Sequence, residues 1–199
     1  MRFELFLSAR PSLVGRSHER LRQVVLTRAN GQCEFCGTKG FKKLVVVYAT
    51  DTERAEASEC GAACVVCEAI LKGGLIGDQA AGSMVYLPEV SQAELVGLFY
   101  ALEAWKVVGS QAEQGTLSVI QSRLNKRRGY VREALGTNGI SVSHWKSVLA
   151  ENSVVYSKRK VLLGDFRFLP DSESFIDHLE SMKQGIFKHY SNANVIPNV

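Results

Sequence analysis

The sequence predicts an α+β fold. A cysteine-rich module with small antiparallel strands, over 1–90, is followed by a mainly helical half, over 91–190, and a short flexible tail, over 191–199. Three observations carry this. All five cysteines lie between Cys33 and Cys67. Short apolar or β-branched runs bounded by Gly and Pro, read as strands, stand before residue 90. Beyond residue 90 the apolar residues recur mostly at helical spacing.

Composition narrows the classes. A chain of 199 residues buries enough surface to fold without covalent cross-links. Apolar residues make up 46% and charged residues 22%, which excludes disordered, collagenous and low-complexity chains. The net charge of +4 does not demand a nucleic-acid partner. No run reaches the ~18 apolar residues of a membrane-spanning helix. The opening MRFELFLSARPSLVGR lacks the basic and apolar regions of a secretory signal, so the cytoplasm is the expected location.

The elements follow in order. Phe3, Leu5 and Leu7 alternate along a strand over 2–8, and Pro11 and Gly15 mark a loop. Residues 17–29 read as a helix with Ser17 as N-cap and Leu21, Val24, Val25 and Arg28 at helical spacing. Asn30-Gly31 makes a turn. The β-branched run 43–49 is a strand and the polar run 50–59 a surface loop. A short helix opens at the second CxxC and runs to Leu71. The glycine-rich stretch 73–82 is a connector, and 83–87 is a strand stopped by Pro88.

Ser91 and Glu94 form a capping box for a helix from Gln92 to Val107, with Leu95, Leu98, Phe99, Leu102 and Trp105 as its core face. A second helix covers 116–128 and ends near Gly129. Ser143 caps a third, His144–Glu151. The run 160–169 ends at Pro170, and Asp171 or Ser172 caps a last helix over 173–189.

Cys33, Cys36, Cys64 and Cys67 form the chemistry-bearing pattern, C-x2-C-x27-C-x2-C. An odd cysteine count without a secretory signal makes a poor disulfide framework. Two CxxC turns instead bring four thiolates to one point, each about 2.3 Å from a shared Zn2+. All four positions would be filled by protein, so the expected cofactor is one structural Zn2+. Cys60, four residues before Cys64, is either an alternative ligand or a small apolar filler.

The stretch 25–72 resembles a treble-clef, HNH-type zinc module: a helix, a CxxC knuckle, a strand, a variable loop, and a second CxxC that starts a helix. In that pattern the catalytic metal sits apart from the zinc, and a histidine on the strand after the first knuckle activates water for phosphodiester cleavage. Here the strand reads Leu44-Val45-Val46-Val47-Tyr48, with no histidine. Glu59-Cys60 replaces Asn-Leu before the second knuckle, and Glu68 and Ala69 follow Cys67. The expectation is a nuclease-like fold without catalytic residues. The rival is a nuclease using Asp51, Glu53 or Glu59 as unusual ligands.

A second resemblance covers nearly the whole chain. The segments Gly31–Gly37, Ala63–Cys67, Val85–Leu95 and Phe166–Pro170 look like the IcmJ/DotN family of the type IVB (Dot/Icm) secretion system and related conjugation systems. The most specific part is YLPEVSQAEL, Tyr86–Leu95, about 20 residues beyond the second CxxC. The resemblance implies a non-catalytic cytoplasmic subunit of the coupling complex at the inner membrane. It would bind a carboxy-terminal segment of the coupling-protein ATPase and help assemble an effector-recruiting platform with adaptor proteins. It also implies a zinc held by Cys33, Cys36, Cys64 and Cys67.

The remaining features are weaker. Arg123, Lys126, Arg127, Arg128 and Arg132 crowd a stretch with Glu133, which suits an acidic protein, phospholipid or nucleic-acid partner, or a solvated helix end. Trp105 and Trp145 read as packing residues. His18, His144, His178 and His189 are scattered and carry no catalytic role.

Overall fold

The computed structural model describes residues 3–5, 14, 18–40, 43–49, 56–76, 79–136 and 141–182, leaving aside the side chains of 112 and 113. Helix α1 is Glu19–Ala29, and it buries Val25 and Ala29. It stops where Asn30 turns left-handed at φ 45° and returns its N–H to the Leu26 carbonyl. The polypeptide then makes a tight knuckle: Cys33 N–H donates to Thr38 O and Gly37 N–H to Cys33 O, both at 2.9 Å. Gly37 sits at φ 77°, a conformation that a Cβ would oppose, so glycine is what lets the knuckle close.

Strands β1 (Val45–Tyr48) and β2 (Cys60–Ala63) form an antiparallel pair, with Val46 opposite Ala62 and Tyr48 opposite Cys60. Nothing in Cys60-Gly61-Ala62-Ala63 advertises a strand, because small residues have little intrinsic β preference. Packing decides it: all four residues are buried. Cys60 and Ala62 join Val25 and Ala29 of α1 in one apolar cluster. A Cβ on Gly61 would come within 2.7 Å of the Phe3 ring and 2.8 Å of Phe35, so bare backbone is what lets these rings cover the strand. The next residues turn directly into α2 (Val65–Leu71).

The stretch read as a connector contains a small hairpin, β3 (Leu75–Ile76) with β4 (Gln79–Ala80). Strand β5 (Gly82–Tyr86) follows, then α3 (Gln92–Val108), opened by the predicted capping box. Ser91 N–H donates to Glu94 Oε2 at 2.7 Å, and Glu94 N–H donates to Ser91 Oγ at 3.2 Å.

Helix α4 corrects the sequence reading. It runs from Gln111 to Leu135, straight through Gly115 and Gly129, and is followed by Gly136 at φ 74°. Leu117, Leu124 and Val131 recur every seventh residue and are all buried. Burying Val131 is worth about 1.5–3 kcal/mol. The helical penalty of Gly129 is only about 1 kcal/mol, so the apolar stripe wins.

Helix α5 (Val142–Glu151) begins earlier than expected; Ser141, not Ser143, caps it, accepting from His144 N–H. Helix α6 (Ser153–Ser157) is capped by Asn152, whose Oδ1 accepts from Val154 N–H and Val155 N–H, both at 3.0 Å. Helix α7 (Arg159–Leu162) leads to β6 (Phe166–Pro170). A 3-10 turn at Glu173–Phe175 then enters a helical stretch over 176–182. Neither Asp171 nor Ser172 caps it through its side chain; Asp171 accepts from the Ser174 hydroxyl instead.

Strands β5 and β6 pair antiparallel, with Met84 opposite Phe168 and Val85 opposite Arg167. One face of the pair, Met84 and Phe168, joins the largest apolar cluster, which runs from Leu5 to Leu179. The other face, Val85 and Leu169, packs with Leu95 and Leu102 of α3 and Leu117 and Leu124 of α4. The cysteine-bearing region and the helical region therefore share this sheet. Trp105 departs from its predicted core position: it is 38% exposed at the end of α3. Trp145 packs partly buried against the main cluster.

Residues 3–5 of the strand predicted over 2–8 are irregular, and its other residues lie outside the described residues. So do Ser17, residues 50–55 of the loop, 183–189 of the last helix and the tail over 191–199. Among the described residues, no helix is long and apolar enough to cross a membrane.

Candidate metal centre

Two local structures deliver four sulfurs to one point. The knuckle after α1 supplies Cys33 and Cys36. Cys64 stands at the N-cap of α2, and Cys67 lies within its first turn. The four Sγ atoms lie within 4.8 Å of one another. Cys36 Sγ and Cys64 Sγ are 3.9 Å apart. Ligands at ~2.3 Å from a tetrahedral Zn2+ would be separated by about 3.8 Å, so the spacing suits such an ion. Cys33, Cys64 and Cys67 are buried and Cys36 is half-buried. These four cysteines could hold one metal ion.

Charge is the difficulty such a group must solve. Hydrogen bonds from the thiols of Cys36, Cys64 and Cys67 push the Cys33 thiol far below its ordinary range. Burial pushes Cys64 and Cys67 well above theirs. Cys36 is lowered too: its contact with Cys33 raises it, and hydrogen bonds with Cys64 and Cys67 outweigh that. Four thiolates together require a cation, and metal binding would release the remaining protons.

Neighbouring groups point donors at the sulfurs. Cys64 N–H donates to Cys33 Sγ at 3.3 Å. The Tyr100 hydroxyl donates to Cys64 Sγ at 3.4 Å; in the opposite direction, the Cys36 thiol donates to the Thr38 hydroxyl at 3.4 Å. Burial, reinforced by the Cys64 sulfur, raises the Tyr100 phenol far above its ordinary range, so it keeps its proton. Burial lowers His178, beside Tyr100, and favours a neutral imidazole.

Glu34, inside the first CxxC, anchors the knuckle. Its carboxylate accepts from Arg28 Nε at 2.8 Å and Arg28 Nη2 at 2.6 Å, and from Ala62 N–H at 3.0 Å. Arg28 also donates to the carbonyls of Ala57 and Cys60, at 2.6 and 2.7 Å. One ion pair thereby ties α1, the knuckle and β2 together. Sequence reasoning missed Glu34, Thr38, Tyr100 and His178 as supports. Only the position of Glu34 between two cysteines was a signal, and it named no partner.

The other sequence candidates stand elsewhere. Cys60 is outside the sulfur group and packs as an apolar filler, with its thiol pushed up by burial. Glu59 does not join the group, and Asp51 and Glu53 lie outside the described residues. His18 and His144 also stand apart from it, and His189 lies outside the described residues. On α4, Arg123, Lys126 and Arg132 are exposed, while Arg127 pairs with Glu89.

Compared with models of known families and with curated proteins, the chain finds no match.

Proposed function

We propose that this chain is a non-catalytic scaffold subunit whose metal is a structural Zn2+. The observation that carries the reading is the sulfur group itself. Four cysteine side chains of the one chain would fill every position of a tetrahedral ion, leaving none for water or substrate. The order of knuckle, strand pair and helix around it supports a treble-clef, HNH-like module with its metal in the structural position.

The complex we propose is the type IVB secretion coupling complex. The chain would bind a carboxy-terminal segment of the coupling-protein ATPase and help assemble the effector-recruiting platform with adaptor proteins. It would act in the bacterial cytoplasm, recruited to the inner membrane. This part rests on the resemblance of the segments Val85–Leu95 and Phe166–Pro170 to the IcmJ/DotN family. Those segments, far apart in sequence, are neighbours in the fold. Val85 and Tyr86 pair with Arg167 and Phe166. The buried Gln92 amide donates to Phe168 O at 2.8 Å and accepts from Phe168 N–H at 2.7 Å. Their resemblance is thus concentrated in one structural unit.

The test is a pull-down of the tagged full chain from its native host, with mass spectrometry and metal analysis of the same sample. A coupling ATPase together with one zinc per chain is the expected result. Zinc with nucleic acid and no ATPase would overturn the scaffold reading in favour of a nucleic-acid-binding or nuclease function. The exposed cations of α4 would then be the first surface to test, through the steep salt dependence that phosphate contacts impose.

A further inference from the structure

The sulfur group has a buried neighbour that is no ligand. Tyr100 projects from α3 into the main apolar cluster, and its hydroxyl donates to Cys64 Sγ at 3.4 Å. The same oxygen lies 3.1 Å from His178 Nε2. The two rings meet edge to face with centroids 5.8 Å apart. A phenol has one proton, so donation to sulfur leaves its oxygen to accept from His178, and Nε2 must then carry the imidazole hydrogen. Three separate elements meet in this chain of contacts: the cap of α2, the middle of α3, and the helical stretch over 176–182.

We infer that Tyr100 is a positioning residue of the metal centre, holding the Cys64 thiolate through an O–H···S hydrogen bond and itself oriented by His178, so that metal loading and docking of the stretch over 176–182 are linked. The inference rests on the metal-binding part of the proposed function. Four thiolates on one divalent cation leave two excess negative charges in a buried site. Donors to the sulfurs offset that charge where water cannot. The phenol sits on α3 and its orienting imidazole on the C-terminal stretch, so the offset is complete only when both elements are docked. Linkage is reciprocal: a metal that favours the docked state is held more tightly by it.

Tyr100→Phe tests this, because it keeps the ring and removes only the hydroxyl. The full chain is loaded with Co2+, and the thiolate-to-cobalt absorption band and the rate of metal transfer to a chelator are recorded. Tyr100→Phe is expected to shift the band and to release metal about 10–100-fold faster. His178→Phe should give the same direction, and His178→Gln, which keeps a donor, should recover part of the effect. Removing metal from the parent should speed amide exchange over 176–182, and this response should shrink in Tyr100→Phe.

An unshifted band with release within about twofold of the parent would overturn the inference. So would a lowered melting temperature with an unshifted band, since that marks simple packing. A parent chain that binds no metal would instead overturn the metal reading itself.

Discussion

Arg28→Met is the substitution whose effect the structure defines most closely. The Arg28 guanidinium makes four hydrogen bonds, two to the Glu34 carboxylate and two to the carbonyls of Ala57 and Cys60. Methionine keeps much of the stem volume and none of the donors. The Glu34 side chain is 9% exposed, so its charge would stay buried without the Arg28 cation that balances it. Removing one member of a buried ion pair costs about 3–5 kcal/mol. Adding four separate bond energies would overstate the loss, because they share one cation and the Arg28 side chain is 24% exposed. The lower end, about 3 kcal/mol, is therefore the expectation, or a fall of about 6–12 °C in melting temperature for a chain this size.

The assay is thermal melting of metal-loaded protein, with metal content measured on the same sample. Glu34→Gln added to Arg28→Met removes the stranded charge while keeping an acceptor for Ala62 N–H, and should recover at least half the loss. Arg28→Met melting within about 2 °C of the parent would refute the reasoning. A double variant no more stable than the single would show that the buried charge is not the cause.

Other outcomes follow from the same structure. Cys33→Ser or Cys64→Ser should give an unstable, aggregating protein, because a four-cysteine site contributes about 10–16 kcal/mol of apparent binding energy to folding. A soluble variant lacking both cysteines that melts like the parent would count against a structural metal. Gly129→Ala should stabilise by up to about 1 kcal/mol, since the helix continues there and its Cβ would meet nothing within 4 Å. Gly82→Ala should instead destabilise by about 1–3 kcal/mol, because its Cβ would lie 2.2 Å from the Leu169 carbonyl oxygen; denaturant midpoints of the two variants moving the same way would contradict this. Ser91 backbone N–H, with the Ser91 hydroxyl, holds the Glu94 carboxyl below its ordinary value of 4.5. A lowered folded value means that this stabilisation is present above pH 4.5 and is lost as the pH falls through the lowered value. The melting difference between parent and Glu94→Ala should be steady at neutral pH and narrow on acidification; a difference unchanged to about pH 3 would exclude the carboxylate as its source.

The four-cysteine group could be read from the chain because its chemistry is local. A CxxC turn presents two sulfurs together, whatever surrounds it. Asn30-Gly31, the Ser91–Glu94 capping box and the valine run of β1 are local in the same sense: each satisfies backbone or side-chain preferences within a few residues. Strand β2 is not local. Its glycine and alanines have little strand preference, and only β1, α1 and the phenylalanine rings on its faces make it one. The passage of α4 through Gly129 is decided by where Leu117, Leu124 and Val131 find apolar surface. The capping of α5 by Ser141 rather than Ser143 depends on where that helix starts to bury Val142. Arg28 with Glu34, and Tyr100 with Cys64 and His178, belong to the same class. Each was a plausible surface or core residue until folding removed the water between them and left a charge or a hydroxyl to be satisfied by protein groups. Short-range pattern determines which residues can bind a metal; long-range burial determines which residues hold them in place.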